Sequence, residues 1–365
     1  MEVGTGAVLT VVGLLLLCFG GYALVSGGVA IAKKFQVSSL LIGLTVVAYG
    51  TSTPELAVSV AGALVGETDL ILGNVIGSNI ANIGMVIGIS AIAAPFLIKH
   101  RLKMDKNTIK IWIPIMLGVS ALLIILTIVE KNNISREAGY LFIVILIGLS
   151  FFTYHRAKKQ KEQQKQSHEP GIDVIKKEEE IGAKFKQSSE NKHEHLIGYY
   201  LTVGRKIDDI PPIALIIIGA VALCGGGMLT INGSIGIAEG LGISTTVIGI
   251  VIVAIGTSLP ELVTSIIALK KGQANIGIGN IIGSNIYNIL LILGVSSIIA
   301  GGLSTASLFG PNQLQDLVPN DFGLMVVFSA VILIAYKKGI IPWWGGLALA
   351  VFYVSYLIRT SLGLA

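Results

Sequence analysis

Gly50-Thr51-Ser52-Thr53-Pro54-Glu55-Leu56 returns 206 positions later as Gly256-Thr257-Ser258-Leu259-Pro260-Glu261-Leu262. A second run keeps the same offset. Gly73-Asn74-Val75-Ile76-Gly77-Ser78-Asn79-Ile80-Ala81-Asn82 returns as Gly279-Asn280-Ile281-Ile282-Gly283-Ser284-Asn285-Ile286-Tyr287-Asn288. Leu17-Cys18, Gly20-Gly21 and Ile42-Gly43 also recur at this spacing, as Leu223-Cys224, Gly226-Gly227 and Ile248-Gly249, with no gap needed from residue 18 to 82. Constant spacing over so long a stretch marks an internal duplication.

The duplicated motifs lie in apolar surroundings. Of the 365 residues 53% are hydrophobic, only 13% are charged and 45 are Gly. The mean hydropathy is +0.81. Soluble domains carry roughly 25% charged residues, so an ordinary cytosolic enzyme and intrinsic disorder are both excluded. Abundant Gly suits membrane helices packed backbone to backbone. Cys18 and Cys224 both sit in apolar runs, which leaves no disulfide framework and no Cys metal site.

A membrane-spanning helix needs about 20 mostly apolar residues. Ten stretches qualify, at about 7–32, 38–65, 70–98, 109–129, 138–154, 211–234, 240–268, 273–300, 323–336 and 341–360, the ninth being short. The N-terminus lacks the basic region of a cleaved signal, so the first stretch is expected to be retained. With ten spans, 23 of the 26 Lys and Arg fall on one side, leaving only Lys131, Arg136 and Arg359 on the other. Basic loops mark the cytoplasmic face. Both termini are therefore expected outside and the basic pI reflects topology rather than nucleic-acid binding.

Each repeat holds five spans. Five is odd, so the halves enter the membrane in opposite directions, the plan of secondary transporters with a midplane site between inverted repeats. The expected fold is an all-α polytopic membrane protein of ten helices. Residues 1–154 form the first five-helix repeat and 210–365 the second. Residues 155–209, rich in Lys, Glu, Gln, Ser and His, form a cytoplasmic linker. Ile172 to Phe185 is a candidate surface helix, and His193-Glu194-His195 reads as a solvated run rather than a metal site.

Of the 21 acidic residues only Glu55 and Glu261 lie mid-span. A charge at the bilayer centre costs at least about 2.5 kcal/mol, and no Lys or Arg lies within the membrane to partner them, so a cation is called for. Oxygen donors surround them. Thr51, Ser52, Thr257 and Ser258 carry hydroxyls one turn earlier. Pro54 and Pro260 lack the N–H that would bond the carbonyl four residues back. That frees the carbonyls of Gly50 and Gly256, and the kink should loosen those of Ala48 and Ala254. Asn74, Ser78 and Asn82 form one i, i+4, i+8 stripe, as do Asn280, Ser284 and Asn288. Asn79 and Asn285 point off these stripes and read as helix–helix contacts. All-oxygen donors suit hard cations, calcium over magnesium, while clustered hydroxyls and carbonyls suit sodium. Two carboxylates balance one divalent ion or two or more monovalent ions, and mutual exclusion of that kind underlies exchange.

At these residues the chain resembles the cation/calcium antiporter superfamily, in particular prokaryotic sodium/calcium exchangers. The paired Gly-Thr-Ser-x-Pro-Glu and Gly-Asn-x-Ile-Gly-Ser-Asn-Ile motifs correspond to that family's two alpha repeats, and the likeness covers everything but the linker. The resemblance implies a non-enzymatic antiporter that needs no cofactor, exchanging several sodium ions for one calcium ion in a cell membrane. It implies calcium held by Glu55, Glu261 and the carbonyls of Thr51 and Thr257. It implies sodium held by the Ala48 carbonyl, Thr51 and Ser78, and by the Ala254 carbonyl, Thr257 and Ser284. Ser52, Ser258, Asn82 and Asn288 are supporting ligands. Spans one and six would slide across the core of spans two, three, seven and eight. Some members, potassium-dependent ones among them, carry Asp where Asn288 stands, so potassium co-transport is not expected. A proton/calcium exchanger is the nearest alternative, although such proteins usually place an acidic residue in the Gly-Asn motif. A cation channel is the alternative from another class. Membrane lipid and the two ions are the expected partners, with no nucleic acid.

Overall fold

The computed structural model describes residues 3–166, 210–241, 254–305, 323–325, 327–330 and 339–361. Two long apolar helices, α1 (Val3–Phe35) and α7 (Pro212–Gly240), lie antiparallel along each other. Their contact is set by glycines seven residues apart. Gly6, Gly13, Gly20 and Gly27 of α1 meet the backbone carbonyls of Gly233, Gly226, Gly219 and Pro212 in turn. Seven residues is close to two helical turns, so the row keeps to one face and the backbones approach without side chains between them. The mates of Gly20 and Gly219 are Gly226 and Gly13, which also meet each other. The contact therefore maps onto itself under the 206-residue offset.

The second predicted span is broken. It comprises α2 (Ser39–Thr51) and α3 (Thr53–Val65), which meet at a 46° bend. Ser52 stands at the break with φ −83° and ψ 7°, in the sparsely allowed bridge region. Its mate Ser258 has φ −90° and ψ 3° and separates α8 (Ala254–Thr257) from α9 (Leu259–Lys270). Pro54 and Pro260 lie in the first turn of α3 and α9, where a missing N–H costs nothing. The prolines thus restart a helix mid-span as well as bending it. Gly66, at φ 80°, closes α3 in a left-handed turn that suits Gly.

At the centre are α4 (Thr68–Leu97) and α10 (Ala274–Ala300), also repeat mates. They are 67% and 83% buried, against 28–39% for α1, α5 (Thr108–Val129), the membrane part of α6 (Arg136–Gln166) and α7. Each contains a π-helical turn at the same repeat position, Asn82–Ile87 and Asn288–Leu293. Such turns are frequent at functional sites.

Residues 323–325 and 327–330 are helical, and α11 (Trp343–Ser361) closes the described chain. It packs on α4, whereas α6 packs on α10, so the last helix of each half lies against the core of the other. Two short antiparallel pairings follow the same exchange. β1 (Leu102–Lys103), just after α4, pairs with β4 (Ile340–Ile341), just before α11. β3 (Gly302–Ser304), just after α10, pairs with β2 (Asn133–Ser135), just before α6. Leu102, Ile341, Ile134 and Leu303 are buried in these latches.

Six described helices are long and apolar enough to cross a membrane, and the bent α2–α3 pair makes a seventh. The chain is a helical multi-pass membrane protein. Parts of the predicted spans 240–268 and 323–336 lie outside the described residues, as do residues 167–209 of the linker with Ile172 to Phe185 and His193-Glu194-His195. One boundary differs from expectation. The fifth span was expected to end at 154, but α6 continues to Gln166. Residues 155–166 contain no Gly or Pro and are mostly Lys, Gln and Ala, strong helix formers, so the helix runs on past its apolar part.

Candidate functional site

The breaks at Ser52 and Ser258 place two helix N-termini inside the protein, with Glu55 and Glu261 in the first turns. A helix N-terminus carries partial positive charge and favours a carboxylate by about 0.3–1 kcal/mol, more when partly buried. Each Glu is 1% exposed. The dipole offsets only part of the cost of a buried charge, and among the described residues no Lys, Arg or His hydrogen-bonds either carboxylate.

Hydroxyls converge on Glu261. Ser52 Oγ, from the other half of the chain, and Ser284 Oγ each donate to Glu261 Oε1 at 3.3 Å. Thr51 Oγ1 donates to Asn280 Oδ1 at 2.9 Å and lies 3.5 Å from Ser284 Oγ. The α2–α3 break and the α9–α10 hairpin thereby form one cluster. Around Glu55 the arrangement differs. Asn74 Nδ2 donates to the Glu55 backbone carbonyl at 3.0 Å and to Ser59 Oγ at 2.9 Å. Ser78 Oγ donates to the Val75 carbonyl and accepts from Asn288 Nδ2 at 2.9 Å. Repeat mates thus hold different partners.

All the predicted side-chain ligands, Thr51, Ser52, Glu55, Ser78, Asn82, Thr257, Ser258, Glu261, Ser284 and Asn288, are buried. Ala254 opens α8, and its side chain is outside the described residues. One expectation needs correction. The Ala48 carbonyl is not loosened by the kink, for it accepts the Ser52 N–H at 3.0 Å and lies 3.3 Å from Thr51 Oγ1. The missing Pro54 donor affects Gly50, and the helix above it stays intact up to Ser52.

Five buried acceptor oxygens here lack any donor: Glu55 Oε2, Glu261 Oε2, Asn74 Oδ1, Asn82 Oδ1 and Asn288 Oδ1. Buried polar atoms are nearly always satisfied; Asn280 Nδ2 and Ser258 Oγ of the same motifs are unpaired as well, but acceptors, two of them carboxylate oxygens, predominate, which suits a cation. Among the described residues no group of three or more His, Cys, Asp or Glu could hold a metal ion, so the other donors are neutral oxygens, the chemistry of hard cations. Asn79 and Asn285, set aside in the sequence as helix contacts, also belong to this region. Asn79 Nδ2 and Asn285 Nδ2 each donate to the other's backbone carbonyl at 3.3 Å.

Residues 5–155 and 211–362 match the sodium/calcium exchanger protein family. The chain belongs to that family. Among its relatives in the family is the sodium/calcium exchanger MaX1 of Methanosarcina acetivorans, 34% identical over 353 residues, 95% of each chain. The putative antiporter CaxA of Alkalimonas amylolytica is 31% identical over 91% of this exchanger-family chain and 90% of its own. Its fold resembles that of the sodium-calcium exchanger NCX_Mj soaked with zero Na+ and Ca2+. The TM-score there is 0.72 at 27% identity, covering 98% of this chain and 99% of that one. The sequence motifs had pointed to the same superfamily.

Proposed function

We propose that the chain is a secondary antiporter exchanging several sodium ions for one calcium ion across a cell membrane by alternating access. The observation that carries this is the set of five donor-less buried oxygens around Glu55 and Glu261. Calcium is held by the two carboxylates with the carbonyls of Thr51 and Thr257. Sodium is held by the Ala48 carbonyl, Thr51 and Ser78 on one side, and by the Ala254 carbonyl, Thr257 and Ser284 on the other. The Ala48 carbonyl serves through its second lone pair, since one already accepts a backbone N–H. Ser52, Ser258, Asn82 and Asn288 support these sites. Two negative charges balance one calcium ion or a pair of sodium ions, so the two occupancies exclude each other. Family membership favours sodium over proton as the driving ion, and no cofactor is assigned.

The proposed topology has ten spans in two inverted repeats, 1–154 and 210–365, joined by a cytoplasmic linker at 155–209, with both termini outside. The latches support it, because β1 and β4 belong to loops that the basic residues assign to the cytoplasmic face, and β2 and β3 to loops assigned to the other. The glycine row makes α1 and α7 one unit, and that unit slides against the core formed by α2–α3, α4, α8–α9 and α10.

The test is calcium-45 uptake into proteoliposomes loaded with sodium and diluted into sodium-free medium, beside a set given only a proton gradient. Sodium-driven uptake that is lost in Glu55→Gln and Glu261→Gln supports the proposal. Uptake driven only by protons, or needing no counter-ion at all, overturns it.

A further inference from the structure

Asn79 and Asn285 do more than join two helices. Each spends its Nδ2 on a backbone carbonyl, which can only accept, so neither amide can be reversed without losing that bond. Their Oδ1 atoms are thereby fixed as acceptors. Asn285 Oδ1 takes the Nδ2 of Asn82 at 2.9 Å, and Asn79 Oδ1 takes the Nδ2 of Asn288 at 3.0 Å. All four side chains are 1% exposed. Reversing Asn82 or Asn288 would set acceptor against acceptor at that distance. The donor ends of both amides are therefore committed, and their Oδ1 atoms are left buried with no donor.

We infer that Asn79 and Asn285 are positioning residues of the cation site, each fixing across the repeat boundary the orientation of one ligand amide. Asn285 sets Asn82 so that oxygen rather than N–H is presented to the ion, and Asn79 does the same for Asn288. This rests on the proposed cation-exchange reading. All four bonds join α4 to α10, but only the two further ones end on ligand amides, and they fix which end of each amide is left unpaired. Without them Asn82 could rotate and turn an N–H toward the cation, and Asn288 would be held by Ser78 Oγ alone. Groups that orient metal ligands typically change metal affinity about 10–100-fold when removed.

The test is a pair of double-mutant cycles read by equilibrium calcium-45 binding to the purified full chain. Asn285→Ala and Asn82→Ala are each expected to weaken calcium binding by about tenfold or more. The double variant should be no weaker than the weaker single one, because Asn285 acts through Asn82. Asn285→Ala combined with Asn288→Ala should multiply instead. The mirror cycle pairs Asn79 with Asn288. If Asn285→Ala yields no folded protein, Asn285→Ser replaces it. Multiplying effects in the Asn285/Asn82 and Asn79/Asn288 cycles, or unchanged affinity in the Asn285 variant, overturn the inference while leaving the exchanger reading standing. A wild-type chain that binds no calcium overturns both.

Discussion

Gly20 and Gly219 face each other so closely that a Cβ added to either would lie 2.8–2.9 Å from the other's carbonyl oxygen. A Cβ on Gly20 would also lie 2.7 Å from the Leu223 amide nitrogen. These neighbours are backbone and cannot rotate away. By contrast Gly21 and Gly28 face side chains, Ile267 and Val263 of α9 and Ile42 and Val47 of α2. The rigid contact is within the α1–α7 pair, and the compliant one is between that pair and the core. Gly20→Val must separate the two backbones, an overpacking that typically costs 1–3 kcal/mol. The expected outcome is sodium-driven calcium flux reduced at least about tenfold, with equilibrium calcium binding nearly unchanged because the proposed ligands lie on the core helices. Gly28→Ala, against movable side chains, should be far milder. Flux and binding measured on the same preparations decide this, and a large affinity loss in Gly20→Val with normal flux would count against it.

Glu55→Gln and Glu261→Gln are expected to move stability and binding in opposite directions. A charge held near the bilayer centre costs at least about 2.5 kcal/mol, so removing it should raise the melting temperature of the ion-free protein. The same change removes one of the two charges proposed to face calcium. Breaking a buried ionic contact costs about 3–5 kcal/mol, which corresponds to a loss of calcium affinity of 100-fold or more. The melting shift produced by calcium, a direct measure of binding to the folded state, should vanish in both variants. Unchanged calcium-induced stabilisation in either one would remove that Glu from the site.

Much of this arrangement was legible in local sequence. The duplicated Pro-Glu motif predicted a broken span with a buried carboxylate, because a proline's missing donor acts within one turn. The stripe through Asn74, Ser78 and Asn82 followed from helical spacing alone. What escaped was non-local. The glycines at 6, 13, 20 and 27 recur every seven residues on one helix face, but their partners lie in the other half of the chain. Asn79 and Asn285 lie off their stripes, and only the crossing of α4 with α10 turns Asn79 toward Asn288 and Asn285 toward Asn82. The latches involve runs of two or three residues, too short for a strand pattern. The unequal bonding of Ser78 and Ser284 has no sequence signal, since the two motifs around them are nearly identical.

Lys271, at the end of α9, ties the α1–α7 pair to the core. Its Nζ bonds Ser26 Oγ at 2.5 Å and lies 3.5 Å from the centre of the Tyr22 ring, both on α1. The corresponding positions in the other half are Val65, Asn232 and Met228, which cannot reproduce a lysine on an aromatic ring. In the proposed alternating-access cycle, inverted repeats would make inward- and outward-facing states alike, and this contact makes them unequal. A cation–π contact contributes about 0.5–2 kcal/mol. Lys271→Met should therefore shift the balance of states by a few-fold up to about thirtyfold. In oriented vesicles the apparent calcium affinities at the two faces should move in opposite directions. Equal changes at both faces would mean that Lys271 acts on the site and not on access to it.

The two strand pairings supply a test of topology that does not depend on transport. Asn133 pairs with Ser304 and Lys103 pairs with Ile340. Strand partners directly opposite each other have Cβ atoms about 4.5–5.5 Å apart, within reach of a short bifunctional thiol reagent. Each pair replaced by cysteines, in a chain whose Cys18 and Cys224 are changed to Ala, should cross-link within one molecule. Sidedness then separates the pairs. With ten spans and basic loops in the cytoplasm, a membrane-impermeant reagent added outside intact cells should protect Asn133→Cys and Ser304→Cys from later labelling. It should leave Lys103→Cys and Ile340→Cys reactive until the membrane is opened. Outside labelling of both pairs, or of neither, would be incompatible with inverted halves. The latches would then have to join loops on one face, and the exchange of α6 and α11 between the two cores could not follow from an odd number of spans per repeat.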